Sequence, residues 1–174
     1  MKDDFIVPLN GLAQGRKEFR WSAGKEFFDR FENSEILDAD LIVLVSAEKS
    51  GSYTGVDCDI DGHVTVSCDR CLEDLKLPVS TGFKLSVKFG SGDPETDGDR
   101  EIVFLPESDA ELDLSQTVYD YVCLSLPVQR VHEEGECNPE VLKYLNQHDG
   151  KDSAGEKDAQ TPFESLRSLL EKNK

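Results

Sequence analysis

Four things are scarce in this sequence, and each scarcity removes a class of function. Apolar runs are short: the longest, Leu41 to Val45, is far from the roughly 20 residues a bilayer-spanning helix needs. Basic side chains are few, with 19 Lys and Arg against 36 Asp and Glu, for a formal net charge of -17. That argues against nucleic-acid binding over the whole surface, because phosphate attraction needs a net basic face. Compact catalytic motifs are missing altogether: there is no nucleophile elbow, phosphate loop or dinucleotide fingerprint. Cysteine is also sparse. The five, at positions 58, 68, 71, 123 and 137, are an odd number with no disulfide-framework density. The start, Met1-Lys2-Asp3-Asp4-Phe5, has acids where a signal peptide carries a basic region and then an apolar stretch. These features predict a reduced, cytoplasmic protein with no membrane segment, in which close cysteines bind metal or do redox chemistry.

What is present is enough for a folded core. The chain has 174 residues, 37% apolar, with nine Phe, four Tyr and one Trp. That length and composition fit one domain with some disordered segments. The negative charge is concentrated: residues 93–113 carry -8 and residues 133–160 carry -5. The first block opens with DPETDGDRE, which has the Gly, Pro and Asp content of a solvated loop. The second ends in HDGKDSAGEKDAQ, with no apolar side chain larger than Ala, so residues 148–160 read as a flexible acidic linker. A single domain over 1–147 and a C-terminal amphipathic helix over 161–174 are expected on either side of it.

Period-2 alternation dominates the first half. Phe5–Val7, Phe19–Trp21, Leu41–Ala47, Tyr53–Ile60, His63–Ser67, Val79–Phe89 and Ile102–Leu105 all read as strands. Asp61-Gly62 is the strongest local signal for a two-residue hairpin turn. Phe27, Phe28 and Phe31 share a face of a short helix starting near Ser22. The second half reads as helical. Asp113 with Gln116 can cap a helix carrying Val118, Tyr121 and Val122, which Pro127 stops. A short helix is expected near Pro139–Asn146. Thr161-Pro162-Phe163-Glu164 is a capping box with Pro at the first helical position, and Phe163, Leu166 and Leu170 form an apolar stripe behind it. The fold class predicted is α+β: a curled antiparallel sheet or small open barrel, a short N-terminal helix, and two to three C-terminal helices.

The chemistry centres on Cys68-Asp69-Arg70-Cys71. A tight turn brings two thiols at this spacing within tetrahedral reach of one ion. His132 and Cys137, in a helix-free stretch after Pro127, can complete a Cys3His zinc site. A thioredoxin-type redox motif instead needs the pair at a helix N-terminus in a βαβ unit; here Pro78 follows too soon, and Asp69, Glu73 and Asp74 disfavour a thiolate. Two ordinary half-buried thiols with no ion are the third possibility. Elsewhere the residues suggest less. Cys58, between Asp57 and Asp59, faces the core, and Cys123 beside Val122 is packing. His63 sits on the surface, His148 in the linker, and Glu133, Glu134 and Glu136 on a solvated segment. Arg16, Lys17, Arg20 and Lys25 make the one basic strip, interleaved with Phe19 and Trp21.

Four stretches together resemble the YceD family of large ribosomal RNA subunit accumulation proteins. They are RKEFRW at 16–21, VTVSCDRCLEDLKLPV at 64–79, ELDLSQTVYDYVCLSLPVQRVHEEGEC at 111–137 and TPFESLRSLLEK at 161–172. Many relatives carry a denser cysteine cluster after the Leu-Pro. This chain has His132 where they often have Cys, then Cys137, and no second C-x-x-C. The resemblance implies a role in synthesis, processing or stability of large-subunit (23S) ribosomal RNA in the bacterial cytoplasm, with no assigned reaction. The function read here is a non-enzymatic ribosome-biogenesis factor without a small-molecule substrate. It would meet a basic ribosomal or RNA-processing protein through its acidic surface and its Phe163–Leu166–Leu170 face. The alternatives are a metal- or thiol-dependent enzyme centred on Cys68 and Cys71, and direct RNA binding through the Arg16–Lys25 strip.

Overall fold

The computed structural model describes residues 5–9, 12, 15–32, 34–50, 53–90, 95–106, 108–109 and 111–149. Its centre is a meander of three long strands, β3 (Ile36–Ser50), β4 (Tyr53–Ser67) and β5 (Asp74–Phe89). Before them come β1 (Ile6–Pro8), β2 (Gly15–Gly24) and the single-turn helix α1 (Lys25–Phe28). After them come β6 (Glu95–Asp97), β7 (Arg100–Leu105), β8 (Glu111–Asp113), α2 (Ser115–Ser125) and α3 (Pro139–Asp149). The order in the main sheet is β2-β3-β4-β5-β7-β6, and β1 pairs with β8 in a separate ribbon. All main-sheet pairs are antiparallel except β5 with β7. The α+β reading therefore stands, with a sheet that is open rather than closed into a barrel.

Alternation makes one face of this sheet the core. Leu41, Val43, Val45 and Ala47 on β3 lie beside Val56, Cys58, Ile60, Val64 and Val66 on β4, all buried. α1, α2 and the β1–β8 ribbon cover that face with Phe5, Val7, Phe27, Phe28, Leu112, Leu114, Val118 and Val122. Each such side chain taken from water contributes about 1.5–3 kcal/mol. As the alternation predicts, Cys58 is interior, and burial beside Asp59 pushes its thiol up to about 12.

Three expectations need correction. Asp61-Gly62 is no hairpin turn; both lie inside β4, where Gly62 pairs with Leu41. Gly62 has φ +150, and a Cβ there would lie 2.1 Å from the Asp40 carbonyl oxygen, so glycine serves close strand approach. The N-terminal helix starts at Lys25 rather than near Ser22, because Ser22 is still paired with Ile42. The acidic stretch after Gly92 is not all loop. Glu95–Asp97 pairs with Arg100–Ile102 through its backbone, a contact that side-chain composition does not reveal. The expected helix at Pro139–Asn146 runs to Asp149. The stripe of Phe163, Leu166 and Leu170 lies outside the described residues, as does most of the acidic linker.

Candidate metal centre

The β4–β5 connection holds the C-x-x-C pair. Ser67 and Asp74 are the last paired residues, and between them the Cys68 N–H donates to the Glu73 carbonyl at 2.8 Å. The Leu72 N–H donates to the Cys68 carbonyl at 2.9 Å, with Leu72 itself at φ 61. This tight turn sends both sulfurs to the same side. Cys68 and Cys71 are 0% and 4% exposed.

The partners arrive from the segment between α2 and α3. α2 ends at Ser125 ahead of Pro127, and the chain then runs irregularly to Cys137, which is 2% exposed. Two hydrogen bonds fix this run against the turn, one between main chains and one to a side chain: the Asp69 N–H donates to the Arg130 carbonyl, and the Arg130 N–H to the Asp69 carboxylate, both at 2.7 Å. The Arg130 guanidinium also reaches Glu35 at 2.6 Å and Asp69 at 3.7 Å. Asn138 holds the far side, donating to Glu73 at 2.7 Å while its own oxygen accepts from the Glu140 N–H at 2.9 Å. The donor atoms of Cys68, Cys71, His132 and Cys137 then all lie within 4.8 Å of one another. All four residues picked out in the sequence are thus brought together across the fold.

The spacings can be tested against an ion. Cys68 Sγ and Cys137 Sγ are 3.9 Å apart, Cys71 Sγ and His132 Nδ1 are 3.4 Å apart, and Cys137 Sγ and His132 Nδ1 are 3.9 Å apart. Tetrahedral zinc with Zn–S near 2.3 Å and Zn–N near 2.0 Å requires about 3.8 Å between sulfurs and about 3.5 Å from sulfur to nitrogen. Imidazole orientation agrees. His132 Nε2 lies 3.1 Å from the Asp74 carbonyl, which only accepts, so the proton belongs on Nε2 and the Nδ1 lone pair faces the sulfurs. The donor set fits a closed, four-coordinate ion.

Electrostatics here differ from the sequence expectation that nearby acids would disfavour a thiolate. Burial pushes the Cys68 thiol up, but backbone N–H groups of Cys71, Arg70 and His132 outweigh it and bring the thiol down to about 6. The neighbouring carboxylates are turned away, Asp69 toward Arg130 and Glu73 toward Asn138. His132 is raised from 6.5, first by its hydrogen bond to Cys68. Cys137 is raised from 9.0 by burial and then by hydrogen bonds to Cys71 and Cys68. Arg70 Nη1 stands 3.9 Å from the Cys137 sulfur and adds positive charge beside the cluster.

A model of the family described as large ribosomal RNA subunit accumulation protein YceD matches residues 56–170. The chain belongs to the YceD family. The matched span takes in β4 from Val56 onward, β5, the C-x-x-C turn, α2, both partners of the cluster and α3, and it continues past the described residues. It leaves out β1, β2, α1 and β3. No curated protein and no solved structure matches this YceD chain. Among the described residues, no helix is long and apolar enough to cross a membrane.

The holding groups around the site are what sequence reading missed. Arg130, Glu35 and the Asp69 carboxylate meet only through the tertiary fold. Asn138 had a local signal: Asn-Pro-Glu right after Cys137 is a helix cap with Pro at the first helical position.

Proposed function

We propose that this YceD-family chain is a non-enzymatic factor for accumulation of large-subunit ribosomal RNA, acting through protein partners and built around a structural zinc site. The observation that carries the reading is the closed donor set: three buried sulfurs and one oriented imidazole at tetrahedral spacing. A catalytic zinc site keeps one position open for water, whereas four protein donors fill every position. Cys68 and Cys71 would hold the ion from the sheet, and His132 and Cys137 from the segment before α3. When bound, zinc supplies a cross-link between the β4–β5 turn and the C-terminal half, coupling metal affinity to folding.

The acidic surface favours basic proteins over RNA as direct partners, with the Phe163–Leu166–Leu170 stripe as an apolar anchor. Direct RNA binding through residues 16–25 has less support. Alternation on β2 sends Lys17, Phe19 and Trp21 toward the core face, where Phe19 stacks on Trp21 at 5.5 Å and Trp21 meets Phe5. Arg16 and Arg20 fall on the opposite face, so only Lys17, 5.0 Å over the Phe19 ring, shares the aromatic face, and the strip is split between two faces. The test is depletion in cells, followed by the ratio of large- to small-subunit ribosomal RNA. That ratio falls on this account, and an unchanged ratio rejects it.

A further inference from the structure

The face of the sheet turned away from the core is not a plain polar surface. Ile42 and Leu44 on β3 are 38% and 45% exposed, where alternation normally places polar groups. Their cross-strand partners on β4 are carboxylates, Asp61 opposite Ile42 and Asp59 opposite Leu44. Asp57 continues the row beside Ser46, so β4 sets three carboxylates at alternate positions along one apolar edge.

The surface is also hollowed. Asp59 pairs with Gly82 on β5, and that residue has no side chain to fill the space. A Cβ at Gly82 would come within 2.5 Å of the Cys58 carbonyl oxygen, which keeps the position bare. A cavity of about 580 Å³ opens there, and one of about 410 Å³ opens beside Leu44. Asp59 and Arg16 border both. The nearby cations are mostly engaged: Arg16 with Glu18, Lys84 with Asp99, and Arg100 with Asp57. Asp61 accepts from Ser80 at 2.7 Å. Asp40, Glu48 and Asp59 make no ion pair among the described residues, and they outnumber the one unpaired cation beside the smaller hollow, Arg20.

We infer that this outer face, centred on Ile42, Leu44 and Asp59, docks a Lys/Arg-rich protein segment that also carries apolar side chains. Carboxylates next to exposed aliphatic groups match that chemistry, with apolar contact supplying area and charge supplying orientation and on-rate. An RNA backbone would meet unpaired carboxylates and be repelled. The inference rests on the reading that this chain works through protein contacts, and it names the surface.

The experiment uses the full chain, isotope-labelled, titrated with a synthetic peptide of alternating Lys and Leu and followed by NMR chemical shifts. Shifts concentrated on Ile42, Leu44, Asp59 and Asp61 are expected. The double variant Asp59→Lys, Asp61→Lys should then bind about tenfold more weakly. Glu134→Lys with Glu136→Lys makes the same change in net charge on another segment and should bind within about twofold of the parent, since screened charges act locally. Shifts confined to residues 133–136, or equal loss in both double variants, overturn the docking face but leave a protein-contact role standing. No peptide binding at all removes both. If single-stranded RNA gives the outer-face shifts instead, the inference is overturned in favour of a nucleic-acid surface. Amide spectra of each variant confirm that the fold persists.

Discussion

Two stretches of the C-terminal half are fastened to the same sheet by different physics. α2 is held by burial: Val118 and Val122 are fully inside, Tyr119 stacks on Phe31 at 4.1 Å and lies 6.0 Å from Phe28, and Tyr121 meets Phe83 at 4.9 Å. The run from Leu126 through α3 is less deeply held: Leu126, Val131, Val141 and Leu142 pack against the core only partly buried. Val128 is fully exposed, Tyr144 is 70% exposed, and the buried group that ties it down is Cys137. Beside that partial apolar contact, it is attached by the Cys/His cluster and the Asp69–Arg130 hydrogen bonds around it. Hydrophobic attachment is non-directional and indifferent to chelators, whereas a ligand cluster is directional and fails when its donors are protonated or the ion is withdrawn.

Variants can separate the two attachments. The largest effect on overall stability is expected at the aromatic end. Phe28→Ala removes a fully buried ring that touches Phe27 and Tyr119, and should cost about 3–5 kcal/mol in denaturant unfolding, equally with and without chelator. A loss that depends on chelator would mean the two regions are not distinct. Cys71→Ser should act locally. Hydrogen exchange over residues 126–149 is expected to rise about tenfold while the interior of β3 and β4 keeps its protection. Equal loss of protection in the sheet would make the cluster part of the main folding unit.

Acid offers a graded version of the same test. Metal binding requires deprotonated donors, so release takes up protons and is driven by falling pH. Zinc should therefore be retained at neutral pH and released on acidification. In the metal-free chain the signs differ. The depressed Cys68 pKa stabilises the fold fully above 9.0, and that share is lost as pH falls toward about 6. His132, raised, stabilises below 6.5 and its share fades as pH rises through its higher folded value. Unfolding followed with and without chelator from pH 5 to 9 checks both. Arg130→Ala should have the smallest effect, about 1 kcal/mol, because its Glu35 partner is 71% exposed, with 126–149 loosened rather than released.

Much of the site was legible in the sequence because its donors are chemically rare. Cys68-x-x-Cys71 after an alternating strand, and His132 and Cys137 beyond a helix-stopping Pro127, stand out by residue type even at long separation. The holding groups did not stand out, since Asp69, Glu73 and Glu35 belong to residue types that crowd every acidic surface. Their roles come from partners far away in the chain. Strand identity was readable from alternation, but strand limits were not. Gly62 shows why: Asp-Gly has the local chemistry of a turn, and only the Asp40 carbonyl packed against it reveals a close-contact position in a 15-residue strand. β6 escaped because edge pairing uses backbone groups, which DPETDGDRE offers as well as any sequence.

The central claim is a zinc ion shared between the sheet and the C-terminal half. Elemental analysis of the purified full chain, with stoichiometry per chain, tests it most directly. The account predicts one zinc per chain in the parent protein and loss of that zinc in folded Cys137→Ser. No zinc in the parent after zinc-supplemented expression, or a full equivalent retained in Cys137→Ser, would contradict it.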